Sequence, residues 1–167
     1  MKAVNTTRRL RIAAVAMLIA APALASCGVN FGAQTDQPYT PGVGVDDRSG
    51  TVDVLHALIV SGADGSGTVV AGLVNNDAER ADALLEITGN PEQGTQVAID
   101  GGPVAIPAAG AHQLADEGEA VASGEAIVPG RFVTLTFTFQ EGADITLDVP
   151  VVSQSGDFAD VPVPSAS

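Results

Sequence analysis

The chain has 167 residues, with 20 acidic side chains against seven basic ones and a formal net charge of −13. A surface this acidic repels phosphate backbones, which excludes nucleic acid as a partner. With 46% hydrophobic residues, no Trp and a single Cys, the chain can bury one aliphatic core but can form no intrachain disulfide.

Lys2, Arg8, Arg9 and Arg11 form a basic start, followed by an apolar run from Ile12 to Ala25. That run is shorter than the roughly 20 apolar residues needed to span a bilayer. With small residues after it, the segment reads as a signal peptide over residues 1–26. Leu24-Ala25-Ser26-Cys27 resembles the lipobox of bacterial lipoproteins. The resemblance implies that Cys27 is acylated, becomes the new N-terminus and holds the chain to the extracytoplasmic face of the cell membrane. Two acyl chains suffice for this, since each buried CH₂ contributes about 0.8 kcal/mol and one chain alone binds only reversibly. The competing reading is a plain A-x-A site at Ala23-Leu24-Ala25, which leaves Cys27 a free thiol. From residue 27 onward three arginines face 20 acidic residues, a net charge of −17 with no lysine. Solubility is the simple account of that charge, and diffuse attraction of cations the functional one.

Residues 27–50 are rich in Gly, Pro, Gln and Asp without an apolar period, which predicts a flexible tether. Residues 51–152 carry the folded domain, and residues 153–167 read as a disordered tail. Within the domain, Thr51–Ser61 and Thr68–Val74 are β-branched runs closed by turn residues. Ala83–Thr88 fits helix or strand by composition, and its shortness before Gly89-Asn90-Pro91 favours strand. Thr95–Ile99 and Val104–Ile106 flank Asp100-Gly101-Gly102-Pro103. Ala111–Leu114 and Ala120–Ala122 are short strand candidates in a region that is hard to read. In Phe132–Gln140, Val133, Leu135, Phe137 and Phe139 alternate with Thr134, Thr136 and Thr138; Ile145, Leu147 and Val149 repeat the alternation after Glu141-Gly142. Strict alternation on both sides of a turn predicts a half-buried hairpin. The whole reads as all-β, a two-sheet antiparallel sandwich.

The segments Thr68–Asn76, Ala83–Thr88, Val104–Gly110, Pro129–Phe137 and Val149–Val152 together resemble the PCu(A)C copper-chaperone family, also called DUF461, and within it the lipid-anchored actinobacterial branch of the LpqE type. The resemblance implies a cupredoxin-like or immunoglobulin-like sandwich that binds Cu(I) through two Met and two His, in an H-M element, a spaced Met and an H-x-M element. The ligands do not carry over. In Gly118-Glu119-Ala120-Val121, Glu119 stands where the family has His and Val121 where it has Met. No His or Met occurs from Val97 to Asp100, where the H-M element belongs. Both methionines, Met1 and Met17, precede Cys27. Cu(I) is soft and selects thioether or thiolate, so a family-type site cannot be assembled downstream of the leader.

Two histidines remain. His56 shares strand parity with Val52, Val54, Leu58 and Val60, which predicts an inward side chain, and His112 falls in a predicted loop. A core role for His56 and a solvated one for His112 compete with a metal site in which His56, His112 and Glu119 hold Cu(II) or Zn(II). The acidic clusters Asp116-Glu117-Glu119 and Asp77-Glu79-Asp82 read as solvated loops. Asp46–Asp53 departs from the calcium-loop pattern at Arg48 and Gly50. No nucleophile elbow, H-E-x-x-H or phosphate loop occurs. The expectation is therefore a non-enzyme without a required cofactor: a lipid-anchored binding or accessory module with an envelope protein as partner, or alternatively a copper-binding chaperone. A carrier of an apolar ligand between the sheets is a weaker third reading.

The lipobox reading makes a direct prediction. Mass spectrometry of the membrane-extracted chain should find residue 27 as the first residue, carrying acyl groups on sulfur. A retained leader or an unmodified thiol would refute it.

Overall fold

A computed structural model describes residues 42–63, 65–115 and 118–164. Within them the chain forms ten strands: β1 (Val45–Asp47), β2 (Val52–Ala63), β3 (Ser66–Asn75), β4 (Asp82–Gly89), β5 (Gln96–Ile99), β6 (Val104–Ile106), β7 (Ala111–Gln113), β8 (Ala120–Ser123), β9 (Phe132–Phe139) and β10 (Ile145–Ser153). Two single-turn 3-10 helices lie at Pro91–Gln93 and Gly156–Phe158. The all-β expectation holds, and the ambiguous run after Ala81 is strand β4.

The strand order is β5-β8-β3-β2-β10-β9-β4-β6, with β1 beside β2 and β7 beside β3. The two antiparallel ladders expected of a sandwich are present, but they are joined into one curled, half-barrel sheet. The join is β10. Its Ile145–Pro150 half pairs antiparallel with β9, while Val151–Ser153 pairs parallel with Ile59–Ser61 of β2. Pro150 stands at the changeover, where its missing N–H removes one ladder donor.

The alternation of β9 and β10 reads directly into burial. Val133, Leu135 and Phe137 are fully buried and Val149 with them, whereas Thr134, Thr136 and Thr138 face outward. Each large aliphatic or aromatic side chain buried this way contributes about 1.5–3 kcal/mol. Leu114 and Ile127, from the stretch that was hard to read, complete the same core. Gly101 and Gly102, both at positive φ, let the chain cross from β5 in one ladder to β6 in the other.

A bulge in β2 changes which residues face inward. Leu55 pairs with Gly72 and Leu58 with Val70, so two residues of β2 oppose Ala71 alone. Before the bulge Val52 and Val54 enter the core; after it Ala57 and Ile59 do. His56 sits on the bulge at φ 53 and is exposed, which corrects the inward orientation its parity predicted. The extra residue shifts the period-2 alternation by one, and His56 is the residue expelled. Asp46 accepts its N–H at 2.7 Å. Gly44 permits the approach, because a Cβ there would lie 2.6 Å from the His56 carbonyl carbon.

The folded domain extends beyond the expected bounds of 51 and 152. β1 lies within the predicted tether and pairs with β2. Past β10, Gln154 Nε2 donates to the Val161 carbonyl at 2.8 Å, and the Thr68 hydroxyl donates to the carbonyl of Pro162.

Two carboxylates expected in solvated loops are structural instead. Asp82 is 6% exposed. Its Oδ1 accepts the N–H groups of Ala83, Gln140 and Glu141, and its Oδ2 accepts that of Gly142. This ties the β9–β10 turn to the start of β4. Asp77 Oδ1 accepts from the Glu79 and Arg80 amides, and its Oδ2 pairs with the Arg80 guanidinium at 2.9 Å. Those amide bonds, Glu79 first, hold the Asp77 carboxyl below its ordinary value of 3.8.

Two predictions follow from these carboxylates. Asp82→Ala should lower the urea-unfolding free energy by about 3 kcal/mol, since buried donors to a charged acceptor lose their partner. Asp82→Asn should cost less, because it can retain the Oδ1 bonds and loses chiefly Gly142. For Asp77 the folded-state value lies below the unfolded one, so its contribution is present above about pH 4 and fades as pH falls through the folded value. Asp77→Asn should therefore flatten the acid limb of the stability–pH curve, and an unchanged limb would contradict this account.

Candidate functional site

β7 and β8 pair with the same edge of β3 at different heights: Leu73 opposes His112, and Thr68 opposes Val121. The chain between them is pinned by Leu114, which is fully buried and donates its N–H to the Ala71 carbonyl at 3.0 Å. The return to β8 brings Glu119 back against β7. His112 Nε2 and Glu119 Oε2 stand 2.7 Å apart, with 30% and 22% of their side chains exposed. Glu119 is fixed from the other side as well, since its carbonyl accepts the Asp100 N–H at 2.7 Å. Two of the three residues anticipated as ligands are thus brought together.

The pair opens onto a cleft of about 560 Å³, lined also by Asp100, Gly101, Gly102 and Pro103. The cleft presents an imidazole facing a carboxylate, and a second carboxylate, Asp100, and the Gly101-Gly102 backbone also line it. It can accept or donate a proton between Nε2 and Oε2, hold a cationic group, or offer one nitrogen and one oxygen to a divalent ion. Asp100 was not anticipated as a site residue. Its signal was its position, the last residue before the Gly-Gly crossover, where the resembled family places its H-M element.

His56 does not join them. It lies on β2, with β3 between it and β7, so its backbone is about two strand spacings, roughly 10 Å, from that of His112. Its imidazole is 70% exposed and its Nδ1 is 3.9 Å from Asp46 Oδ1, on the β1 side. The Asp46 carboxyl is held below its ordinary value, chiefly by the His56 N–H it accepts. The trio His56, His112 and Glu119 is therefore corrected to a pair, because the bulge turns His56 outward on the far side of β3. Among the described residues, no three His, Cys, Asp or Glu side chains converge closely enough to hold a metal ion. Cys27, Asp116 and Glu117 lie outside the described residues.

The donor set decides how well copper fits. Residues 42–164 contain neither Met nor Cys, so a soft Cu(I) ion finds no sulfur ligand there. His112 and Glu119 suit a harder Cu(II) or Zn(II), but supply only two ligands.

Neither a family model nor a curated protein sequence matches the chain. Solved structures do. The apo PCuAC domain from PmoF1 superposes with a TM-score of 0.55 at 20% identity, over 65% of this chain and 99% of that one. The copper-bound PCuAC domain from PmoF2 gives 0.53 at 18%, over 65% and 98%, and the apo PmoF2 domain gives 0.53 at 16%, over 67% and 98%. Almost the whole of each such domain is thus matched by the curled sheet described above, and the fold of this chain is that of a PCuAC domain.

Proposed function

We propose that this chain is a lipid-anchored envelope protein whose PCuAC-like domain serves as a non-enzymatic binding or accessory module. Acylated Cys27 would hold it on the extracytoplasmic face of the membrane, with an envelope protein as partner. The reading rests on one observation: the scaffold is that of copper-chaperone-like domains, yet its cleft holds an imidazole–carboxylate pair and residues 42–164 carry no sulfur ligand. A scaffold carries function only through its site, and this site lacks the soft donors that Cu(I) needs.

A second reading is favoured by the same pair. His112 and Glu119 are half-buried, prepositioned and open to a cleft, which suits Cu(II) held by nitrogen and oxygen. His56 has no part in it.

Calorimetry on the full chain in mild detergent distinguishes the two. The accessory-module reading expects no tight Cu(I) binding and only weak Cu(II) binding. The Cu(II) reading expects tight uptake that is abolished by His112→Ala, weakened by Glu119→Gln and unchanged by His56→Ala. Tight Cu(I) binding by the wild-type chain would sink both.

A further inference from the structure

The chain between β8 and β9 ends in an exposed turn. Arg131 N–H donates to the Val128 carbonyl at 3.1 Å, and Gly130 between them stands at φ 89. Pro129 and Gly130 at the two central positions make this a type II turn, whose second centre needs a positive φ. The backbone of the turn is fixed: Gly130 N–H donates to the Val151 carbonyl, and Val151 N–H donates to the Arg131 carbonyl. The side chains are left uncovered. Val128, Pro129, Arg131 and Phe132 are all exposed, and Phe132, at 62%, is the most exposed large apolar side chain among the described residues. Pro150 stands opposite Phe132 across the ladder. Of the three arginines among the described residues, Arg48 and Arg80 are paired with Asp46 and Asp77, and Arg131 pairs with no carboxylate there.

The path of the chain indicates what this turn meets. β3 takes one edge of β2, so β1 and the end of β10 share the other, at Val45↔Ala57 and Val151↔Ile59. β1 runs antiparallel to β2. Traced back from Asp47 to Val45, it moves from Val54 to Ala57, toward the Val151 pairing on which the turn rests. The chain therefore enters the domain from the side of the turn. Fifteen residues lead from Cys27 to Gly42, a reach of at most about 50 Å. An acylated Cys27 thus holds the turn within reach of a bilayer, and a contact too weak to recruit a free domain suffices once it is intramolecular. A guanidinium next to a phenyl ring suits that surface, since the cation bonds lipid phosphate and the ring takes the interfacial apolar zone. The nearest acids by sequence and register are Glu125 and Asp148, and Asp148 is bound to the Thr134 hydroxyl.

We propose that the turn from Val128 to Phe132 is a lipid-contact site, through which the domain docks on the membrane that holds Cys27. Phe132, with Val128 and Pro129, enters the interfacial zone, and Arg131 binds lipid phosphate. The proposal rests on the lipid-anchored reading of Cys27. It is independent of what the His112–Glu119 cleft binds, because the turn rests on β10 and Glu119 precedes β8, with β2 and β3 between them in the sheet.

The chain has no tryptophan, so Phe132→Trp places a single reporter at the turn. The full acylated chain is reconstituted into vesicles of phosphatidylcholine and phosphatidylglycerol, and flotation with the vesicles checks the anchor. Emission from Phe132→Trp should move to shorter wavelength and be quenched by brominated lipid. Leu85→Trp, exposed at the other end of β9 where Leu84 opposes Phe139, should show neither effect. Arg131→Gln, added to the reporter, should lower the docked population about fivefold, the scale of one basic side chain at an anionic surface. Lipid with a photoreactive acyl chain should label residues 128–132 of the unsubstituted chain, which tests the contact even if Phe132→Trp folds poorly. Flotation without a shift, quenching or labelling at the turn overturns the proposal and leaves the anchor standing. Failure to float removes the anchor and the proposal with it. Equal quenching at both tryptophan positions, or a docked population indifferent to Arg131→Gln, also overturns it.

Discussion

The fold depends on one strand making hydrogen bonds in two directions. β10 zips antiparallel to β9 as far as Pro150, then continues beside β2 in parallel. Among the described residues, no other strand connects the β9-β4-β6 ladder to the β2-β3-β8-β5 ladder. Its inward residues, Ile145, Leu147, Val149 and Val151, run through the whole cluster formed between the ladders. A strand so placed must be apolar on one face along its full length, and proline is admissible only where the ladder changes partner. The buried Asp82 serves the same end. By holding the turn between β9 and β10 against β4, it fixes where the bridging strand begins.

The curled, incomplete closure also explains where chemistry can occur. One end of the β5 region carries the His112–Glu119 cleft at the crossover to β6, and the other packs close to β4, where Gly89 meets Thr95. The cleft lies where β5 and β6, consecutive in sequence, part to different ladders. With an imidazole and a carboxylate as its donors, the cleft suits harder ions than sulfur ligands would.

Most of the strands were legible in the sequence for a simple reason. The alternation of Val133, Leu135, Phe137 and Phe139 with threonines is a local signal that needs no distant partner, and β4, β6 and β9 fall close to where composition and breakers put them. β1 was missed because three residues between Gly44 and Arg48 carry no periodicity of their own; pairing with β2 makes them a strand. His56 was placed wrongly because a bulge is visible only when a partner strand shows two residues opposite one. Asp82 looked like a solvent-facing acid because its main-chain donors come chiefly from residues 140–142, far along the chain.

The sequence by itself determined the all-β character, the acidic surface, the lack of sulfur ligands in the folded domain and the half-buried hairpin, since each follows from residue type and nearest-neighbour order. Tertiary structure alone decided that His112 meets Glu119 while His56 stands two strands away, and that β10 joins the two ladders. Those outcomes turn on register and strand order, which are fixed by hydrogen bonds between residues distant in sequence and leave no mark on any single segment.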